Sequence, residues 1–108
     1  MKKLLFICSQ NRLRSPTAEA VFCKWPGVEA MSAGLNNDAA APVSSDLIEW
    51  ADILVVMEQA HKIKLSRKFR SSLKGKRVVV LGIPDEYEYM QPELVQRLKA
   101  AVPRRVGI

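Results

Sequence analysis

Three short apolar runs, Leu4-Leu5-Phe6-Ile7, Ile53-Leu54-Val55-Val56-Met57 and Val78-Val79-Val80-Leu81, constrain this chain more than any other feature in it. Each is too short for a helix and is flanked by polar or turn-forming residues, so each reads as a strand. Each is also nearly continuous in hydrophobicity rather than alternating. That is the signature of a strand buried on both faces, as in a parallel sheet covered by helices.

The rest of the chain fits between these runs. The first strand is expected from Lys3 to Ile7 and the first helix over residues 15 to 24, with Pro16 in its first turn and Trp25-Pro26-Gly27 as its stop. Val28 to Ala33 is a second strand closing at Gly34, and 35–44 reads as a polar, alanine-rich loop. Ser44 or Ser45 caps a short helix, Asp46 to Ala51. The third strand, Ile53 to Met57, precedes a basic helix from Gln59 to about Phe69 and a loop from Ser71 to Lys76. Arg77 to Leu81 is the fourth strand, Gly82 to Gln91 a loop, and Pro92 opens a last helix to about Ala101. The tail from Pro103 is expected to fray.

Strands alternating with helices imply an α/β fold, an open four-stranded parallel sheet between two helical layers with right-handed crossovers. The strand order 2-1-3-4 places strands one and three side by side at the switch point, where such folds bind ligands beyond the carboxyl ends of their strands. Cys8 leaves the first strand at that end, and Asp85 follows the fourth at the same end.

The segment Cys8-Ser9-Gln10-Asn11-Arg12-Leu13-Arg14-Ser15 joins the first strand to the first helix. A tight loop running into a helix N-terminus collects backbone N–H donors around an anion. Here the loop begins with a thiol and ends with Arg14, whose planar fork matches two phosphoryl oxygens. A thiol at the base of such a nest suits a cysteine that attacks phosphorus. Asn11 is expected in a left-handed conformation, which asparagine tolerates well. The loop is not of the Walker type, since it holds no glycine and no Gly-Lys-Ser/Thr.

The spacing cysteine, five residues, arginine, serine, proline directly after the first strand resembles the low-molecular-weight protein tyrosine phosphatase family, in a short bacterial-type variant. Ser32-Ala33-Gly34 and Trp50 to Met57 are similar to further family segments, so the likeness spans nearly the whole chain. It implies the flavodoxin-like, phosphotyrosine phosphatase I-like architecture. It also implies a phosphomonoesterase with Cys8 as nucleophile, Arg14 as phosphate clamp, Ser15 as donor to the thiolate and Ser32 as a brace for Asn11. Ser9, Gln10, Asn11, Arg12 and Leu13 complete the expected phosphate loop. Phosphotyrosine protein is the substrate the family implies, with no cofactor and no metal.

The sequence departs from the family in three places. The general acid is an aspartate before a proline in relatives, whereas Pro84-Asp85-Glu86-Tyr87-Glu88 inverts the order. Asp85 is the first candidate, with Glu86 and Glu88 as alternatives. The two tyrosines of this loop either wall an aromatic substrate or pack beneath the last helix. Gln10 stands where glycine is usual, and the short stretch from Leu35 to Asp52 lacks an aromatic residue that lines one wall of the substrate slot in relatives.

A length of 108 residues implies one domain over 1–108. The apolar run after Lys3 is too short for a signal peptide and no run reaches membrane-spanning length, so a cytoplasmic location without membrane contact is expected. Two cysteines and one histidine make neither a disulfide scaffold nor a good metal site. Cys23 is expected to be a buried, inert thiol and His61 a surface histidine, with Trp25 and Trp50 in packing roles.

The net charge of +6 is uneven: no acid lies between Glu58 and Asp85, a span holding eight of the lysines and arginines. This reads either as a solvated face or as a surface for polyanions, nucleic acid included. The alternatives to a protein phosphatase are therefore a phosphate-reading or nucleic-acid-binding module, or a phosphatase of nucleic-acid or nucleotide phosphates. An arsenate reductase would need further cysteines, and a sugar-system phosphotransfer domain would lack Arg14.

Overall fold

A computed structural model describes residues 1–108. Its elements are β1 (Lys2–Cys8), α1 (Arg14–Phe22), β2 (Val28–Gly34), α2 (Ser45–Trp50), β3 (Ile53–Val56), α3 (Gln59–Lys68), β4 (Arg77–Val80) and α4 (Pro92–Val106). The strands form one parallel sheet in the order β2-β1-β3-β4. The expected order is the observed one, because short apolar strands with helical crossovers leave few other arrangements.

Alternate side chains of a strand face opposite sides, and the sheet divides its core accordingly. Leu4, Phe6 and Cys8 of β1, with Ile53, Val55 and Met57, face α1 and α4. Leu5 and Ile7, with Leu54 and Val56, face Ile48 of α2 and Leu65 of α3. Phe22 joins the first layer and stacks on Phe6 with ring centroids 5.7 Å apart. Trp25 leans on Phe22 at 5.1 Å and Trp50 packs against the second layer, so both tryptophans have packing roles.

The last helix corrects one expectation. It does not stop near Ala101 but runs through Pro103 to Val106. Proline inside a helix forfeits one backbone hydrogen bond. Here the stripe Leu94, Leu98, Val102 and Val106 is wholly buried, which offsets that loss. Lys2 Nζ also donates to the Val106 carbonyl at 2.9 Å and Arg105 to the Val80 carbonyl at 2.8 Å, so the terminal turn is tied to β1 and β4. Gly107 closes the helix in the left-handed conformation. No helix is long and apolar enough to cross a membrane.

Candidate active site

β1 and β3 are neighbours, and the chain leaves β1 at Cys8, the last residue of the strand. The segment from Cys8 to Arg14 lies over the carboxyl end of the sheet and enters α1 at Arg14. Its carbonyls are tied from one side. Leu35 N–H donates to Cys8 O at 3.0 Å, Asn36 N–H to Ser9 O at 2.9 Å, and Ala40 N–H to Gln10 O at 3.1 Å. By contrast, the backbone N–H groups of Ser9, Gln10, Asn11, Arg12, Leu13 and Arg14 donate to no protein acceptor. Six consecutive donors without a protein acceptor, in a loop that begins at a thiol and lines one cleft with it, are what an anion nest requires.

Asn11 takes the left-handed conformation, with φ of 55°. Its side chain is held by Ser15, whose Oγ donates to Asn11 Oδ1 at 2.8 Å and lies 2.9 Å from Cys8 Sγ. Ser15 has one hydroxyl proton for these two acceptors. With a neutral thiol, sulfur donates to Ser15 and Ser15 to Asn11. With a thiolate, the hydroxyl turns to sulfur. Ser32 does not brace Asn11: its hydroxyl donates to Glu19 Oε1 on α1 instead. Ser32 sits in β2 two residues before Gly34, where the facing element is α1 rather than the loop.

Gly34 is the close-approach point of the site. A Cβ there would lie 2.6 Å from Ala39 Cβ, 2.8 Å from Ser9 O and 2.9 Å from Asn11 N. Only glycine lets β2 and the loop after it press against the nest.

Arg14 is buried, at 3% exposure. Its Nη1 donates to Glu58 Oε1 and to the Ile83 carbonyl, the latter at 2.8 Å. Its Nε lies 3.8 Å from Asp85 Oδ1, and Nη2 has no protein partner. The guanidinium thus has one edge fixed by Glu58 and Ile83 and retains donors for an anion. Asp85 belongs to the exposed rim and lines a cleft of about 360 Å³ with Cys8, Ser9, Gln10, Arg12, Leu13 and Arg14. Glu86 and Glu88 are not among the residues lining it. Tyr87 packs against the core beneath α4, its hydroxyl accepting from Arg97 at 2.8 Å, and Tyr89 is exposed.

His61 was expected on the surface and is buried. Its Nδ1 accepts from the Glu58 backbone N–H at 3.1 Å, the back-reaching half of a capping box at the start of α3. In the neutral ring the proton therefore sits on Nε2, which is 3.0 Å from Ser9 Oγ and donates to it. Ser9 Oγ is then an acceptor on one side, with its own proton free for another partner. Burial pushes the His61 pKa below its ordinary value, and the Arg14 guanidinium pushes it the same way; Lys64 adds to this, while Glu58 and Asp85 oppose it. A protonated ring could not accept from Glu58, so geometry and electrostatics agree on a neutral imidazole.

The site roles of Glu58 and His61 are invisible in the sequence because their partners, Arg14 and Ser9, are 44 and 52 residues away. Cys23 also departs from expectation. It is exposed near the end of α1, because the buried stripe of that helix runs through Ala18 and Phe22.

No family model matches the sequence, and no curated protein matches it by sequence. Solved structures do match in fold. The tyrosine phosphatase Wzb from Escherichia coli K30, in complex with phosphate, superposes with a TM-score of 0.77 at 25% identity, covering 95% of this chain and 94% of that one. A low-molecular-weight protein tyrosine phosphatase from Streptococcus pyogenes gives 0.78 at 16% identity, covering 96% and 93%. The arginine phosphatase YwlE from Geobacillus stearothermophilus gives 0.73 at 22%, covering 96% and 92%. The chain has the fold of the low-molecular-weight protein tyrosine phosphatases and resembles that family in its cysteine–x5–arginine loop.

Proposed function

We propose that this chain is a cysteine-dependent phosphomonoester hydrolase working through a phosphocysteine, with phosphotyrosine in proteins as its substrate. The observation that carries the reading is the run of six unpartnered backbone donors in the loop that begins at Cys8, closed by Arg14 and sharing one cleft with Asp85.

The Cys8 thiolate attacks phosphorus, forming the S–P bond as the ester O–P bond breaks. The loop amides and Arg14 meet the three phosphoryl oxygens as charge spreads over them. Asp85, in its acid form, gives its proton to the leaving phenolate oxygen. In the second step a water attacks the phosphocysteine and returns a proton to the Asp85 carboxylate. The S–P bond breaks, and the Ser15 hydroxyl donates to the departing thiolate. Ser9, its acceptor side occupied by His61, donates its own hydroxyl proton to a phosphoryl oxygen.

One feature of the rim bears on substrate choice. Arg12 is exposed at the mouth and has no ion pair or side-chain hydrogen bond. Its charge favours an anionic or neutral leaving group over the cationic guanidino group of a phosphoarginine.

The test is steady-state hydrolysis of an aryl phosphate across about pH 5 to 8 by wild type, Cys8→Ser and Asp85→Asn. Loss of turnover in Cys8→Ser, with a slowed Asp85→Asn whose basic limb is flattened, supports the assignment. An inert wild type that still binds phosphate would replace it with a phosphate-reading module.

A further inference from the structure

The acid-free stretch from Gln59 to Arg77 contains two kinds of base. Four are tied to their own chain. Lys64 donates to Asn36 Oδ1, Lys68 to the Leu35 carbonyl and Asn37, Lys76 to the carbonyls of Glu49 and Ala51, and Arg77 to that of Arg105. These fasten loops and helix ends. The side chains of Lys62, Arg67, Arg70 and Lys74 have no partner within the protein. Lys62, Arg67 and Arg70 line one groove of about 480 Å³ on the outward face of α3, with Ile63, 47% exposed, among them. A second hollow, sharing Ser66 and Arg70 with the first, carries the groove on to Lys74.

The groove starts beside the catalytic cleft. Gln59 lines it and directly follows Glu58, the residue that holds Arg14. From Gln59 the helix rises about 1.5 Å per residue, so its bases extend roughly 15 Å from the site, about five residues of extended peptide. The sequence QAHKIKLSRK of α3 contains no acid to neutralise them.

We propose that this face of α3 is a docking groove for an acidic segment of the phosphoprotein substrate, flanking the phosphorylated residue. The inference rests on the phosphatase reading and adds to it the character of the sequence around the phosphate. Charge complementarity selects an acidic occupant. An extended peptide is favoured over nucleic acid because no aromatic side chain lines the groove for a base to stack on, while Ile63 offers an apolar contact between charges.

The experiment compares kcat/KM on an aryl phosphate, an acidic phosphotyrosine peptide and a neutral one, for wild type and for the Arg67→Glu/Arg70→Glu variant. Both positions are exposed and outside the catalytic cleft. The wild type is expected to prefer the acidic peptide by about tenfold, the variant to lose that preference, and the aryl phosphate to be turned over equally by both. A second arm is independent of turnover: binding of a dye-labelled, unphosphorylated acidic peptide, read by fluorescence anisotropy. If no substrate is hydrolysed, the phosphatase reading fails while this arm still decides the groove. Equal treatment of acidic and neutral peptides by the wild type, or an unchanged preference in the variant, would overturn the proposal. So would displacement of the labelled peptide by an oligonucleotide of equal charge at lower concentration than by the unlabelled peptide itself.

Discussion

Replacing His61 with alanine removes two hydrogen bonds from the wall of the site in one step: the acceptor for the Glu58 N–H and the donor to Ser9 Oγ. Glu58 is partly shielded, and an amide left unpaired there costs about 1–3 kcal/mol, whereas the bond to Ser9 contributes about 1 kcal/mol. The two share one ring, so their effects overlap, and the combined loss is about 2–3 kcal/mol. For a chain of this size that lowers Tm by roughly 10 °C. His61→Gln retains an amide oxygen that accepts from the Glu58 N–H, as glutamine does at this position of a capping box, and is expected to recover about half the loss.

The pH dependence has a definite sign. Burial, followed by Arg14, holds the folded-state pKa of His61 below its ordinary value near 6.5. Below that pH the unfolded chain binds a proton that the folded chain refuses, so stability is full above about pH 6.5 and falls on acidification. Both variants lack this group and should flatten that limb. Thermal melts of the three proteins between about pH 5 and 8 read both effects. An alanine variant as stable as wild type, or a wild type whose stability on acidification matches that of the variants, would refute the reasoning.

Gly34→Ala places a methyl within 3 Å of Ser9 O and Asn11 N, both backbone atoms of the nest. It should cost about 1–3 kcal/mol and lower turnover disproportionately, and unchanged kinetics would show that the loop has room to shift. The two thiols should also separate in alkylation. Cys23 is exposed and should react whether or not phosphate is present, whereas modification of Cys8 should be suppressed by phosphate; peptide mass mapping distinguishes them.

What the sequence disclosed and what it withheld follow from the range of the interactions. Three of the strands are legible because Leu4–Ile7, Ile53–Met57 and Val78–Leu81 are local patterns with local punctuation, whereas their order follows from the open-sheet topology and the family likeness. Asn11 was legible because its conformation depends on its own side chain. The end of α4 is not legible locally, because Pro103 is a stop signal overridden by the burial of Val102 and Val106 and by hydrogen bonds to β1 and β4. His61, Glu58 and the pairing of Ser32 with Glu19 depend on which elements the fold brings face to face. No spacing in the chain announces those pairs.

The central claim is that Cys8 carries the phosphoryl group, and rapid acid quenching during turnover of an aryl phosphate tests it most directly. Peptide mass analysis should find a phosphoryl-sized increase on the peptide containing Cys8, none on that containing Cys23, and no turnover in Cys8→Ala. Turnover that persists in Cys8→Ala, or steady-state hydrolysis with no phosphoryl group ever trapped on Cys8, would contradict the account.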